Sequence, residues 1–168
     1  MNLVAFVLPP SQTRRALLLV LAALAILATA WTIQGLGFQP CELCFLERYA
    51  YYAGAPVAAL AAWLASRPAH GLARALFVLL ALVFLANVGL AFYHVGVEQH
   101  WWLGPTACTG ALTGPVDVND LAKALNSAPA VPCDQPALRI LGLSLAGWDV
   151  VVSAAMAISA ALVARLAR

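Results

Sequence analysis

Four long stretches of this chain are almost free of charge, and that restricts its fold more than any motif does. No Asp, Glu, Lys or Arg occurs from Ala16 to Cys41, from Tyr49 to Ser66 or from Ala75 to Val97. A fourth apolar run, Val150 to Ala164, is bounded by Asp149 and Arg165. A helix crossing a hydrocarbon core ~30 Å thick needs ~20 largely apolar residues. The first three runs meet that length. The fourth does so if it extends back through Leu141 to Trp148 and Asp149 reaches toward the headgroups. Backbone polar groups inside a bilayer must be satisfied within each span. The expected fold is therefore an all-α membrane protein, a four-helix transmembrane bundle forming a single domain over residues 1–168. Its spans are expected at approximately 16–33, 48–65, 75–97 and 146–164, with outer loops at approximately 34–47 and 98–145. Composition closes the alternatives: 64% of residues are hydrophobic and 10% charged, against about 45–50% and about 25% in soluble domains. So apolar a chain is neither soluble nor disordered, and a net charge of +2 gives no basis for binding nucleic acid.

Small residues suit a bundle. Gly54, Ala58 and Ala62 recur at four-residue spacing in the second span, and Ala154, Ala157 and Ala161 line much of the fourth. Such stripes let membrane helices approach closely, although an alanine-rich chain also shows them by chance. Pro56 is expected to kink the second helix or free a carbonyl.

Basic residues set the orientation. Arg14, Arg15, Arg67, Arg74, Arg165 and Arg168 fall on one side of an even number of spans, which should be the cytoplasm. Arg48, Lys123, Arg139 and all seven acidic residues fall on the other. Both termini are then cytoplasmic and two loops face outward. A competing reading is a cleavable export signal, since Thr13-Arg14-Arg15 precedes an apolar stretch and Ala28-Thr29-Ala30. Apolar residues continue past Ala30 to Ile33 and three later spans need an inserted partner, which favours a retained first helix.

All four cysteines, Cys41, Cys44, Cys108 and Cys133, lie in the two outer loops. An even count on the oxidising face of a membrane reads as disulfide chemistry. Cys41-Glu42-Leu43-Cys44 is a C-x-x-C pair at the start of the second span, where the helix dipole and free N–H groups favour a thiolate. Arg48 lies one turn deeper on the same face as Cys44. It suits stabilisation of a Cys44 thiolate, or of charge developing on an electron acceptor at the membrane surface. A snorkelling anchor explains an isolated arginine there equally well. Cys108 and Cys133 enclose a glycine- and proline-rich segment. That pair is either a structural staple or a labile disulfide exchanging with a soluble partner. A zinc site is the weaker alternative, because a second C-x-x-C is missing, so no metal is expected.

In the long second loop, Asp117 or Asn119 is placed to cap a short helix over Asp120–Leu125. Trp101, Trp102 and Trp148 are placed as interface anchors. Of the histidines, His70 lies in the short cytoplasmic connection and reads as ordinary, and His100 sits beside Trp101 on the outer surface. His94 sits within the third span near its outer end, where a titratable group is a candidate for proton exchange with a bound cofactor. An interfacial hydrogen bond is the plainer role. No phosphate loop or nucleotide fingerprint is present, since Gly35-Leu36-Gly37 lacks the third glycine.

Four spans, Pro40-Cys41-x-x-Cys44 followed by Arg48, and two cysteines in a long second outer loop resemble the DsbB family. These are bacterial inner-membrane proteins that reoxidise the periplasmic thiol oxidase DsbA. Leu141-Gly142-Leu143-Ser144 leading to Trp148 also resembles the family's entry into its last helix. The resemblance covers the chain in order and topology, with C-x-x-C-x-x-x-R as its sharpest signature. It implies a quinone-dependent protein-disulfide oxidoreductase using ubiquinone or menaquinone, with a DsbA-like thioredoxin-fold partner and a monomeric state. Reduced DsbA would attack a Cys108–Cys133 disulfide, forming a mixed disulfide at Cys108. Cys133 would then exchange with Cys41, releasing Cys44 as a thiolate beside the quinone. Arg48 matches the family's quinone-site arginine, and His94 falls near where a quinone contact is expected. The alternatives are a paralogue serving another thioredoxin-fold partner, and a non-enzymatic membrane scaffold with structural disulfides.

Overall fold

A computed structural model describes residues 12–67, 69–105 and 131–166 of the chain. Four helices account for most of them: α1 Gln12–Gly35, α2 Glu42–Ala65, α3 His70–Glu98 and, after a small hairpin, α4 Leu145–Leu166. The hairpin pairs β1 (Arg139–Ile140) antiparallel with β2 (Leu143–Ser144). Cys108, the expected Asp120–Leu125 helix, Lys123 and Arg168 lie outside the described residues.

By length and composition three segments are apolar enough to cross a membrane: Gln12–Gly35, Gly71–Glu98 and Leu145–Leu166. α2 has the length, at 24 residues, but carries Glu47, Arg48, three tyrosines and many alanines. It also begins at Glu42 rather than near residue 48, which draws Cys44 and Glu47 into its first two turns.

Each helix packs against two others: α1 against α2, α2 against α3, α3 against α4, and α4 more loosely against α1. Gln12 at the start of α1 donates to the Leu166 carbonyl at the end of α4 (3.2 Å), so the first and last helix ends share one end of the bundle. The opposite end holds the short α1–α2 turn and the hairpin. The core is made of small residues and a few rings: Ala16, Leu19 and Ala23 of α1, Tyr51, Ala58 and Ala62 of α2, Phe77, Leu80 and Phe84 of α3, and Met156, Ala160 and Val163 of α4. Outward faces are apolar as well, with Leu21, Leu24, Trp63, Leu79, Leu82, Leu85, Ile158 and Leu162 exposed. Apolar residues on both faces are what a bundle surrounded by acyl chains requires.

The small-residue stripe of α2 sits where expected: Gly54, Ala58 and Ala62 are all buried. A Cβ at Gly54 would stand 2.8 Å from Cζ of Phe84, so this glycine is what lets α2 and α3 meet. On α4 the buried face is rotated from expectation. Ser153, Ala157, Ala160 and Ala164 are buried, whereas Ala154 and Ala161 are only partly covered.

Two expectations about the start of α4 are corrected. Leu141–Ser144 does not extend the helix backward. Leu141 (φ 52°) and Gly142 (φ 86°) form the turn of the hairpin, and successive positive φ values twist a two-residue turn to match its strands. Asp149 does not reach outward to the headgroups. It turns into the bundle, where Tyr51, Asn87 and Ser153 donate hydrogen bonds to it. Those donors satisfy the carboxyl without moving it out of the bundle.

Candidate redox site

The site is built at the end of the bundle where α2 starts. Gly37 (φ 100°) turns the chain out of α1, and Pro40 leads into Cys41, the N-cap of α2. Cys41 Sγ takes the place of a capping oxygen, accepting from the Cys44 backbone N–H at 3.3 Å. The same turn of helix brings the Cys44 sulfur to 2.7 Å from the Cys41 sulfur. Both thiols are free.

His94 of α3 completes the group. Its Nε2 is 3.5 Å from Cys41 Sγ, and its Nδ1–H donates to Glu47 Oε1 at 2.7 Å. With Nδ1 committed to the carboxylate, Nε2 can take a thiol proton as a lone pair or steady a thiolate as an N–H. Glu47 (5% exposed) and His94 (2%) are withdrawn from solvent, where a charged hydrogen bond is strong. The Cys41 thiol is held down to about 4. The hydrogen bond from the Cys44 thiol contributes most to that shift, with His94 adding to it and burial opposing it. A helix N-terminus acts in the same direction. The donor atoms of Cys41, Cys44 and His94 lie within 4.8 Å of one another, close enough to share a soft metal ion. A tetrahedral site would need a fourth ligand, and Cys133 does not offer a free thiolate, being disulfide-bonded.

Cys133 lies against this group. It shares a buried cluster with Cys41, Leu43 and Val97, flanked by Cys44, Leu90, Tyr93 and Val131, and is 1% exposed. Cysteines 92 residues apart in the chain are thereby packed into one apolar patch.

Beside Cys44 a cleft of about 310 Å³ opens between α1, α2 and α4. Ala25, Ile26, Ala30, Ile33, Leu145 and Val152 make its apolar walls, and Cys44, Glu47, Arg48, Tyr51, Trp148 and Asp149 supply sulfur, charge and aromatic edges. Apolar walls with a few convergent polar groups are the usual make-up of a small-molecule site. Arg48 is positioned by a hydrogen bond from Nη1 to Gln34 Oε1 of α1 (2.9 Å) and lies over the Phe45 ring at 5.3 Å. Trp148 donates to the Ile140 carbonyl of the hairpin (2.9 Å), so it is a cleft wall and not simply an interface anchor. Trp102 is likewise held, stacked on Tyr93 at 5.9 Å and donating to the Tyr93 carbonyl.

The structure thus brings Cys41, Cys44, His94 and Cys133 together and puts Arg48 on the cleft. His94 faces Cys41 and Glu47, away from the cleft walls. Sequence reasoning overlooked Glu47, Gln34, Tyr51 and Asp149. Glu47 left one signal, an acid one turn after Cys44 in a chain with few charges. The others were invisible without knowing which helices adjoin.

Comparison with known proteins gives a consistent result. The family model described as disulfide bond formation protein DsbB matches residues 12–163. A protein of Pseudomonas fluorescens strain Pf-5, disulfide bond formation protein B 1, is 35% identical over 145 residues, covering 83% of this chain and 82% of its own. Disulfide bond formation protein B of Herminiimonas arsenicoxydans is 29% identical over 143 residues, covering 78% and 81%. No solved structure matches the chain.

Proposed function

The chain belongs to the DsbB family of disulfide bond formation proteins, and from that membership we propose a specific electron route. It reoxidises a periplasmic DsbA-like dithiol oxidase and passes two electrons through Cys108/Cys133 and then Cys41/Cys44 to a membrane quinone. The observation that carries this reading is the stacking of three elements in order: buried Cys133, the Cys41–Cys44 pair, and the cleft holding Arg48.

The cleft suits a quinone headgroup. Its volume matches a single substituted ring, its walls are apolar, and it opens beside the loosely packed α1–α4 seam, through which an isoprenoid tail can reach lipid. Arg48, Cys44 and Trp148 would hold the ring. When bound, the quinone supplies a two-electron, two-proton acceptor.

The protein's own residues do the rest. Reduced partner attacks at Cys108, since Cys133 is buried and reserved for Cys41. Cys133, released as a thiolate, attacks Cys41 of an oxidised Cys41–Cys44 pair, so that a Cys41–Cys133 disulfide forms and Cys44 leaves as a thiolate. Cys44 is then the free sulfur at the cleft, with the Arg48 guanidinium on the same wall to stabilise its negative charge. When the partner departs oxidised and the Cys108–Cys133 disulfide reforms, Cys41 is released in turn and steadied as a thiolate by His94. Glu47 holds the His94 ring so that Nε2 receives the proton that Cys41 gives up and returns it toward the cleft, which Glu47 itself lines. α2 completes a fourth span in this reading, with both termini cytoplasmic, the cysteine-bearing end periplasmic, and the protein monomeric in the bacterial inner membrane.

The test is quinone reduction by purified protein supplied with reduced DsbA, with Cys44→Ala as control. Turnover in the wild type and none in the variant is the expected result. No turnover in the wild type, or full turnover in the variant, overturns the proposal. Cys133→Ala should accumulate a mixed disulfide between Cys108 and the partner; if none can be trapped, the second pair is a staple.

A further inference from the structure

Asp149 lines the cleft, yet the exchange between cysteines makes no use of it. Its carboxyl is served from three helices: Tyr51 of α2 donates to Oδ1, Asn87 Nδ2 of α3 donates to Oδ2 at 2.9 Å, and Ser153 of α4 donates to Oδ1 at 3.4 Å. The partners also touch one another: the Tyr51 and Ser153 hydroxyl oxygens are 2.8 Å apart, and Asn87 Nδ2 donates to Ser153 Oγ at 2.9 Å. All three are buried. Every one of these partners is neutral. They satisfy the lone pairs but bring no counter-charge, and an ionised group inside a bilayer is costly without one. Ionisable residues placed this way mark proton paths.

The register along α2 shows what such a group would serve. Glu47 and Arg48 line the cleft at one level, and Tyr51 lines it one turn deeper, ~5.4 Å along the axis. A six-membered ring with oxygens at opposite ends spans that interval, one oxygen facing Arg48 and the other facing Tyr51 and Asp149. We propose, on the reading that the cleft takes a quinone, that Asp149 with Tyr51 recognises the deep ring oxygen and holds the proton delivered to it. The overall exchange breaks two S–H bonds, forms one S–S bond and places two hydrogens on the acceptor. The thiols give both electrons. One proton passes from the Cys41 side through His94 and Glu47 to the outer oxygen; the other leaves Asp149 through Tyr51, whose hydroxyl accepts from the protonated carboxyl as it gives its own hydrogen to the deep oxygen, and the second thiol proton restores Asp149. Oxidation of the dithiol therefore balances reduction of the ring, with no proton left over.

The titratable and charged groups that share the cleft with Asp149 are Tyr51, Glu47 and Arg48 of α2, and His94 of α3, turned away behind Glu47, acts on it only through its charge. α1 brings no charge to the cleft, and α4 has no other ionisable group before Arg165. The experiment uses full-length protein in nanodiscs with a short-tailed benzoquinone. Binding is read from quenching of tryptophan fluorescence, to which Trp148 reports directly. Prereduced protein is then mixed with the benzoquinone in a single turnover, in H₂O and D₂O and across pH. Asp149→Asn should slow the turnover about a hundredfold, raise the solvent isotope effect as proton delivery becomes limiting, and flatten the alkaline limb of the pH profile, while the quenching midpoint moves less than about threefold. Tyr51→Phe should act in the same direction and serves if the asparagine variant does not fold. Wild-type rates and pH profile in either folded variant overturn the role of Asp149 alone. A wild type that binds no benzoquinone overturns the cleft assignment and this proposal with it.

Discussion

Glu47 and His94 stand on different helices and meet at 2.7 Å between Oε1 and Nδ1, which turns the other ring nitrogen toward Cys41. The contact ties the start of α2 to the end of α3 and makes Cys41 the first member of a triad with His94 and Glu47. Glu47 acts through His94 on the sulfur, and a Gln at this position can accept the Nδ1–H bond but cannot hold charge. Glu47→Gln should lower the rate of Cys41–Cys133 exchange about tenfold at neutral pH with little change in melting temperature. Stopped-flow mixing with reduced partner measures it, and an unchanged rate and pH profile would leave Glu47 as a structural residue.

The Cys41 thiolate should persist far into acid. Its thiol is held down to about 4, so the ionised, reactive form is present above that value and disappears as pH falls through it. Labelling of the reduced protein by a small methanethiosulfonate, followed against pH, reads the titration. Cys44→Ala removes the largest single cause of the shift and His94→Ala removes two others, so each should move the midpoint upward. A midpoint near the ordinary thiol value in wild type would contradict this arrangement.

Arg48 should matter for the acceptor more than for insertion. Its guanidinium is positioned by Gln34 and Phe45 at the cleft, and a charge-assisted hydrogen bond contributes about 1.5–3 kcal/mol. Arg48→Met should raise the quinone KM about tenfold or more while membrane insertion and melting temperature stay close to wild type. Gln34→Leu should produce a weaker shift of the same sign. Equal kinetics in both variants would return Arg48 to the role of anchor.

Gly54 should tolerate no side chain. A Cβ there stands 2.8 Å from Phe84 in the centre of the α2–α3 contact, and overpacking of this kind costs about 1–3 kcal/mol. Gly54→Ala should lower the unfolding temperature in detergent, and adding Phe84→Leu should recover part of the loss. Absence of that recovery would place the fault elsewhere than in the Phe84 contact.

The membrane class, the four long helices and the close approach of the Cys41 and Cys44 thiols could be read along the chain, because each rests on local properties. A run without charge, a small residue every fourth position, and two thiols one helical turn apart are decided by neighbours in sequence. The hairpin before α4 was missed for a related reason: Leu141-Gly142-Leu143 is as apolar as a helix, and only the positive φ values at Leu141 and Gly142 separate the two. The turned-in Asp149 was missed because an acid at a span's end is served equally by headgroups or by protein donors, and the sequence does not say which donors adjoin.

The sequence by itself therefore determined that this chain is built of long apolar helices suited to a membrane and carries a C-x-x-C pair at one of their ends. Only the tertiary structure decided what surrounds that pair. Glu47, His94 and Cys133 come from three separate parts of the chain, as do Tyr51, Asn87 and Asp149. Hydrogen bonds and sulfur contacts act over a few ångströms, whereas these residues are tens of positions apart. Their proximity follows from which helix faces pack together, and in this alanine-rich bundle a glycine as small as Gly54 helps to decide that.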